Sequence, residues 1–241
     1  MARLYIEGEI EVGEERELPA DVGHRVRTVL RLTRDAEVIL FNGADGEYVA
    51  RLTKVARNEV RAIVEGFRPI DRESLLDLTL VQSISRGERM DYTIQKAVEL
   101  GIRRIVPVVS RRTAVRLDGD RADKRLAHWC GIARHAAEQS GRTQLPDVHA
   151  VSHLDQWLSE PRSGHRFLLN AKAPQGLAQQ SPPTPEITVV AGPEGGFDER
   201  EIEALENAGV TPVHLGPRTL RTETAAVTAL SIVQALWGDL K

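Results

Sequence analysis

The sequence predicts an α/β protein in which a small β-rich unit, residues 1–70, precedes a larger domain of alternating strands and helices, residues 71–241. Short apolar stretches of strand length surround a single amphipathic helix in residues 3–67. From Leu78 onward, strand-length apolar runs alternate instead with helical periodicity. Two strand–loop–helix junctions, residues 192–196 and 215–225, put glycines and polar groups where an α/β sheet presents its carboxyl edge.

The first unit divides into strands at residues 3–6, 9–12, 36–41, 48–55 and 60–67. Val60, Ala62 and Val64 alternate with Arg61 and Glu65, the period of a half-buried strand. Val22, Val26, Val29 and Leu30 mark a helix over residues 21–32. Short strands around one helix predict a compact barrel, with the acidic run of residues 7–17 as a solvated edge. Residues 68–74 have linker character.

In the larger domain, strands are expected at residues 78–84, 102–109, 167–169, 187–191 and 213–215. Met90, Ile94, Ala97 and Val98 define a helix that Gly101 can close. Leu126, Trp129, Cys130, Ala133 and Ala137 line one face of a longer helix, with Cys130 read as core packing beside Trp129. Residues 173–186, with four prolines, are expected to form a loop holding at most a short helical turn. Asp198 and Glu201 form a capping box, and Phe197 and Ile202 occupy the hydrophobic-staple positions. The last helix, residues 223–237, is apolar nearly all round. Its stripe of Ala226, Leu230, Val233 and Trp237 predicts burial between subunits.

Composition excludes several classes. Hydrophobic residues reach 41% in 241 residues, enough for a core and too many for a disordered chain. No apolar run approaches the ~18 residues of a membrane span, and the acidic N-terminus has no signal-peptide core. The one cysteine cannot form an internal disulfide, so a reducing cytoplasm is expected. The net charge of −3 hides a basic middle: residues 102–134 carry nine Arg or Lys against three Asp, and 27 of the 32 basic residues are Arg. Arginine grips phosphate and stacks on bases, so a polyanion partner is one reading; a GC-rich genome is the other.

Gly192-Pro193-Glu194-Gly195-Gly196 lets the backbone approach a ligand closely. It is neither a phosphate loop nor a dinucleotide fingerprint, and Glu194 would repel a pyrophosphate. A ligand with a positive or neutral centre suits it better, although a plain tight turn also accounts for the glycines. In Leu215-Gly216-Pro217-Arg218-Thr219-Leu220-Arg221-Thr222-Glu223-Thr224-Ala225, Gly-Pro makes the turn, Thr222 can cap the helix and Glu223 complements its dipole. Arg218 and Arg221 have no such structural reason, and they read either as solvated charges or as functional groups.

These two segments together resemble the C-terminal signature of the SPOUT, or α/β-knot, methyltransferases. Residues 82–91 (QSISRGERMD) with 94–101 (IQKAVELG), residues 136–142 (AAEQSGR) and residues 24–31 (HRVRTVLR) narrow the resemblance to the 16S rRNA uracil-N3 methyltransferase family. The resemblance runs from His24 to Leu236. It implies a PUA-like RNA-binding barrel and a knotted methyltransferase domain, acting as a homodimer on 16S rRNA of the small ribosomal subunit. It also implies S-adenosylmethionine held by Leu169 and Asn170, by the turn of Gly192, Glu194, Gly195 and Gly196, and by Leu215, Gly216, Leu220 and Arg221.

Uracil N3 is a weakly acidic imide, so its proton must leave or the developing anion must be stabilised. Arg221, Arg86 and Arg89 are the candidates for that role, with Gln139 and Glu223 weaker ones and no general base assigned. Arg25, Arg27, Arg31, Arg111, Arg112 and Arg142 are candidate RNA contacts, and Arg103, Arg104 and Arg116 extend the basic strip. His128 and His135 share a helix face without ligand-spaced partners, so no metal is expected. Asp91, Gln95 and Glu99 read as an outward stripe beside Lys96. A knot methyltransferase acting on a ribose 2′-hydroxyl or another base, and a non-catalytic RNA-binding assembly factor, are the competing readings.

Overall fold

The computed structural model describes residues 1–44, 46–114, 119–161, 163–181 and 184–241. Arg116 and part of the proline-rich loop lie outside the described residues. The chain forms two compact units: Met1–Glu73 with Ala137–Leu145, and Ser74–Ala136 with Pro146–Lys241.

In the first unit five strands, β1 (Ala2–Tyr5), β2 (Glu15–Glu17), β3 (Glu37–Phe41), β4 (Glu47–Val55) and β5 (Val60–Arg68), pair in the order β1-β3-β4-β5-β2. The β1–β3 pair is parallel and the rest antiparallel. Alternate residues of the strands point into one cluster, among them Leu4, Val38, Leu40, Ala50, Leu52, Ala62 and Val64. The helix α1 (Ala20–Thr28) adds Val22 and Val26 to it.

The helix ends earlier than expected because Val29 and Leu30 stay exposed and Arg31 turns to φ 52°. The strand expected at residues 9–12 is displaced to β2, on the ladder edge within the acidic run.

The first unit also holds Ala137–Leu145 through buried charge pairs. Glu138 accepts the Tyr5 N–H at 2.9 Å and both terminal nitrogens of Arg25, at 3.0 and 2.6 Å. Glu73 pairs with Arg142 and accepts the N–H groups of Thr143 and Gln144. Glu47 is buried against Arg3 and Arg72. Burial alone would raise its carboxyl pKa, but the Arg72 and Arg3 contacts outweigh this and hold it below the ordinary range.

The second unit is a parallel sheet. Its strands β6 (Asp77–Ser83), β7 (Arg104–Val109), β8 (Asp147–Val148), β9 (Ser152–His153), β10 (His165–Leu169), β11 (Glu186–Ala191) and β12 (Thr211–Val213) run in the order β12-β10-β11-β6-β7-β8, with β9 also on β7. Covered parallel strands read as continuous apolar runs, as LTLVQ and ITVVA do. Val81, Val106, Val108, Leu168 and Val190 pack with Leu154 and Trp157 of α4 (Leu154–Ser159) and Leu205 of α5 (Glu199–Asn207).

The helices α2 (Glu88–Glu99) and α6 (Thr222–Trp237) pack on each other, and α6 also contacts β11. This changes the meaning of the apolar stripe on α6. Ala226, Leu230 and Val233 are fully buried within this chain, while Leu236 and Leu240 are exposed.

On the long helix α3 (Asp120–Ser140), Trp129, Ala133, Ala136 and Ala137 are buried, but Cys130 is exposed. The packed face keeps Trp129, Ala133 and Ala137 of the expected residues and adds Ala136, whereas Cys130 lies off it and is not core. Among its described residues the proline-rich loop holds one 3-10 turn, at Leu177–Gln179. The capping box of α5 is formed, Glu201 N–H to Asp198 Oδ1 at 2.8 Å and Asp198 N–H to Glu201 Oε2 at 2.9 Å. Among the described residues no helix is long and apolar enough to cross a membrane, and no group of His, Cys, Asp and Glu is placed to hold a metal ion.

Candidate active site

Three neighbouring parallel strands end at one level. Leu168 pairs with Val190 of β11, and Leu169 pairs with Val213 of β12. The loops that follow therefore emerge side by side at the carboxyl edge of the sheet, the usual ligand position of an α/β domain. They enclose a cavity of about 520 Å³, a volume typical of small-molecule sites. Leu169, Asn170, Gly192, Glu194, Gly196, Leu215, Gly216, Leu220 and Arg221 all line it. So do Arg89 and Glu223.

Backbone geometry explains the glycines unevenly. The Gly196 N–H donates to the Pro193 carbonyl at 2.9 Å, closing the turn, and Gly196 takes φ 65°. A side chain at Gly192 would sit 3.2–3.3 Å from backbone atoms of Gly196 and Phe197. Gly195 differs from expectation: it is not among the cavity-lining residues, and a Cβ there would meet only the Arg112 side chain at 3.5 Å.

Thr222 is also used differently. It is the first helical residue of α6 rather than its cap, and its hydroxyl donates to the Gly192 carbonyl at 2.6 Å. The buried Gln82 side chain donates in turn to Thr222 Oγ1 at 3.1 Å, so β6 braces both junctions.

The charges are arranged around Arg89. Glu194 Oε1 accepts the Arg86 N–H at 2.9 Å and Arg89 Nη1 at 2.7 Å, and Arg89 Nε lies 3.8 Å from Glu223 Oε1. Burial of Glu194 works to raise its pKa, but the Arg86 N–H, its own backbone N–H and Arg89 hold the carboxyl below the ordinary range. The other Glu223 oxygen is buried without a hydrogen-bond partner among the described residues. Arg86, Arg218 and Arg221 are exposed and pair with no carboxylate among the described residues. The cavity thus combines two carboxylates inside with unpaired guanidinium groups in its walls and beside it.

His214 is a lining residue the sequence reading missed, because it was assigned to a strand over residues 213–215. The strand ends at Val213, and His214 Nδ1 accepts the Gly216 N–H at 3.0 Å, fixing the next loop.

The candidate RNA contacts separate into two kinds. Arg142 is 5% exposed and bound to Glu73, and Arg25 is bound to Glu138, so both hold the first unit together rather than standing open to a phosphate. Arg27 donates to the Ala56 carbonyl, and Arg31 is exposed. In the second unit Arg103 is exposed and Arg104 pairs with Asp77. Arg111 and Arg112 are exposed; the Arg111 N–H donates to Glu201 and its side chain lies 3.7 Å from Asp198, while Arg112 donates to the Gly195 carbonyl. Of the helix stripes, Asp91 Oδ2 accepts from His128 Nε2 at 2.8 Å, Glu99 pairs with Lys96, and Gln95 is exposed.

A loop-built cavity at the carboxyl edge of a parallel sheet, in a chain that also carries a five-stranded β unit, defines a class. Residues 72–234 match the RNA methyltransferase domain family and residues 21–65 the RNA methyltransferase PUA domain family, so this is a PUA-like unit followed by a parallel-sheet methyltransferase fold. Ribosomal RNA small subunit methyltransferase E of Bacillus subtilis is 30% identical over 99% of this chain and 100% of its own length. The Rickettsia conorii protein of that name is 31% identical over 97% of this chain and 95% of its own. The Neisseria gonorrhoeae protein of the same name, solved bound to S-adenosylmethionine, superposes with a TM-score of 0.96 at 39% identity, covering 100% of both chains. The chain belongs to the ribosomal RNA small subunit methyltransferase E family.

Proposed function

We propose that this chain transfers a methyl group from S-adenosylmethionine to N3 of one uridine in the 16S rRNA of the small ribosomal subunit. The observation that carries the cofactor reading is the cavity itself. Gly196 presents backbone rather than a side chain, and Glu194 and Glu223 are among the residues lining a space large enough for a small cationic ligand. The Neisseria gonorrhoeae relative binds this cofactor on the same fold. When bound, S-adenosylmethionine supplies an electrophilic methyl on a sulfonium centre.

The residues of this chain do the orienting. Backbone groups of Leu169, Asn170, Gly192, Gly196, Leu215, Gly216 and Leu220 hold the cofactor, and Glu194 keeps its turn tied to α2. Arg221, Arg86 and Arg89 supply positive charge to a uracil ring losing its N3 proton, and Arg27, Arg31, Arg111 and Arg112 position the RNA backbone. In a strain lacking this chain, nucleoside mass spectrometry of small-subunit rRNA is expected to show 3-methyluridine missing. Loss of a 2′-O-methyl nucleoside instead would select the ribose-methylating reading. An unchanged nucleoside profile, with no heat of S-adenosylmethionine binding, would select the non-catalytic assembly factor.

The homodimer is part of the same proposal, with a changed surface. A charge at Leu230 would be buried inside the subunit, a cost of several kcal/mol. Leu230→Glu is therefore expected to unfold or aggregate, whereas Leu236→Asp should leave a folded chain that sediments as a monomer. Wild-type protein that is monomeric at micromolar concentration would remove the dimer.

A further inference from the structure

Arg112 touches the cofactor turn and solvent at once. Its loop follows β7 and is closed by the Thr113 N–H on the Ser110 carbonyl and the Ser110 N–H on Thr113 Oγ1. The loop is pinned to α5 where the Arg111 N–H donates at 2.7 Å to Glu201 Oε1, on the buried carboxylate that also closes the capping box.

From this base the Arg112 side chain lies against Gly195, and its Nη1 donates to the Gly195 carbonyl at 2.9 Å. The same peptide unit is held at its other end by the Gly196 N–H on the Pro193 carbonyl. A peptide is planar, so holding its oxygen and its N–H fixes the plane, and with it the Gly196 backbone that lines the cavity. Arg112 nevertheless remains exposed, and no carboxylate among the described residues pairs with it. Its Nε and Nη2 edge, the geometry that grips a phosphate with two bonds, is open to a partner.

We propose that Arg112 couples RNA binding to cofactor binding: one N–H holds the Gly195–Gly196 peptide while its remaining donors take an RNA phosphate. The proposal rests on the cofactor and RNA readings above. A phosphate on the far edge restricts the guanidinium, so the Gly195 carbonyl is held in the cofactor-binding orientation for more of the time. By linkage the cofactor must tighten RNA binding by the same factor. Arg112 is a positioning residue, acting on the cofactor through the turn.

Equilibrium dialysis with radiolabelled S-adenosylhomocysteine tests this, with and without saturating small ribosomal subunits from the deletion strain. Saturating subunits are expected to tighten wild-type binding about five- to tenfold, within the usual range of coupling between sites. Arg112→Ala is expected to weaken binding about fivefold without subunits, the value of one hydrogen bond, and to reduce the tightening to below about twofold. Arg112→Lys should restore the affinity without subunits but not the tightening, because one ammonium lacks the second edge. Arg125→Ala, which removes an exposed charge from α3, should match wild type in both. Unchanged affinity and tightening in Arg112→Ala, equal losses in Arg125→Ala, or a wild type whose cofactor affinity ignores the subunits would each overturn the coupling. A wild type that binds no S-adenosylhomocysteine at all would instead remove the cofactor reading, and the coupling with it.

Discussion

Gly196→Val is expected to weaken S-adenosylmethionine binding about 30-fold or more, corresponding to ~2 kcal/mol of left-handed backbone strain for a β-branched residue. Gly196 sits at φ 65°, with its N–H closing the turn on Pro193 and its backbone facing the cavity. A valine must either carry the strain or leave the left-handed region, and leaving it moves the wall of the site. Calorimetry reads the affinity, and thermal denaturation checks that the fold persists, since the turn lies at the sheet edge rather than in its core. Gly192→Ala should also bind more weakly, because its Cβ would crowd backbone atoms at 3.2–3.3 Å. Gly195→Ala is the contrast: φ is not positive there, and the new methyl meets Arg112 at an ordinary 3.5 Å. Near-normal cofactor affinity in Gly196→Val would separate this turn from the cofactor.

The contrast within one pentapeptide shows where sequence reading reaches its limit. GPEGG at a strand end announces a turn that a ligand can approach, but which glycine takes the positive φ depends on which carbonyl the closing N–H reaches. Features with local causes were legible. The capping box of Asp198 and Glu201 needs only the spacing of two side chains, and the apolar runs of β6 and β11 follow from burial on both faces. The two-residue strands β8 and β9 carry no periodicity, and they went unseen.

Pairing over long distance was equally hidden. Arg25 and Glu138 are 113 positions apart, so nothing near Arg25 says that its charge is already neutralised. The stripe on α6 was read with the right residues and the wrong partner, because a period of 3.6 marks a face to be buried without saying whether the same chain covers it. A glutamate such as Glu223 also has an obvious local role, complementing the helix dipole. Only the assembled cavity shows that one of its oxygens has no hydrogen-bond partner among the described residues.

Arg221→Ala is expected to lower the methyl-transfer rate on bound RNA about 10²- to 10³-fold, the usual effect of removing a group that stabilises developing negative charge. Arg221 precedes the first turn of α6, lines the cavity, is exposed, and has no carboxylate partner among the described residues. Arg89 is the useful comparison, because its charge is shared with Glu194 and Glu223 and less of it is available to substrate. Loss of the N3 proton spreads negative charge over the uracil oxygens, where a guanidinium not already neutralised by a carboxylate acts most strongly. The effect should therefore fall on kcat, with S-adenosylhomocysteine affinity changed by less than about fivefold, because the group is needed in the transition state more than in the ground state. Replacing an arginine that only contacts phosphate behaves differently: RNA affinity falls, and the slope of log affinity against log salt flattens by about 0.7–0.9. Single-turnover methylation with saturating RNA, alongside binding measured at several salt concentrations, separates the two. A normal single-turnover rate with a flattened salt slope would make Arg221 a backbone contact and return the stabilising role to Arg86 and Arg89.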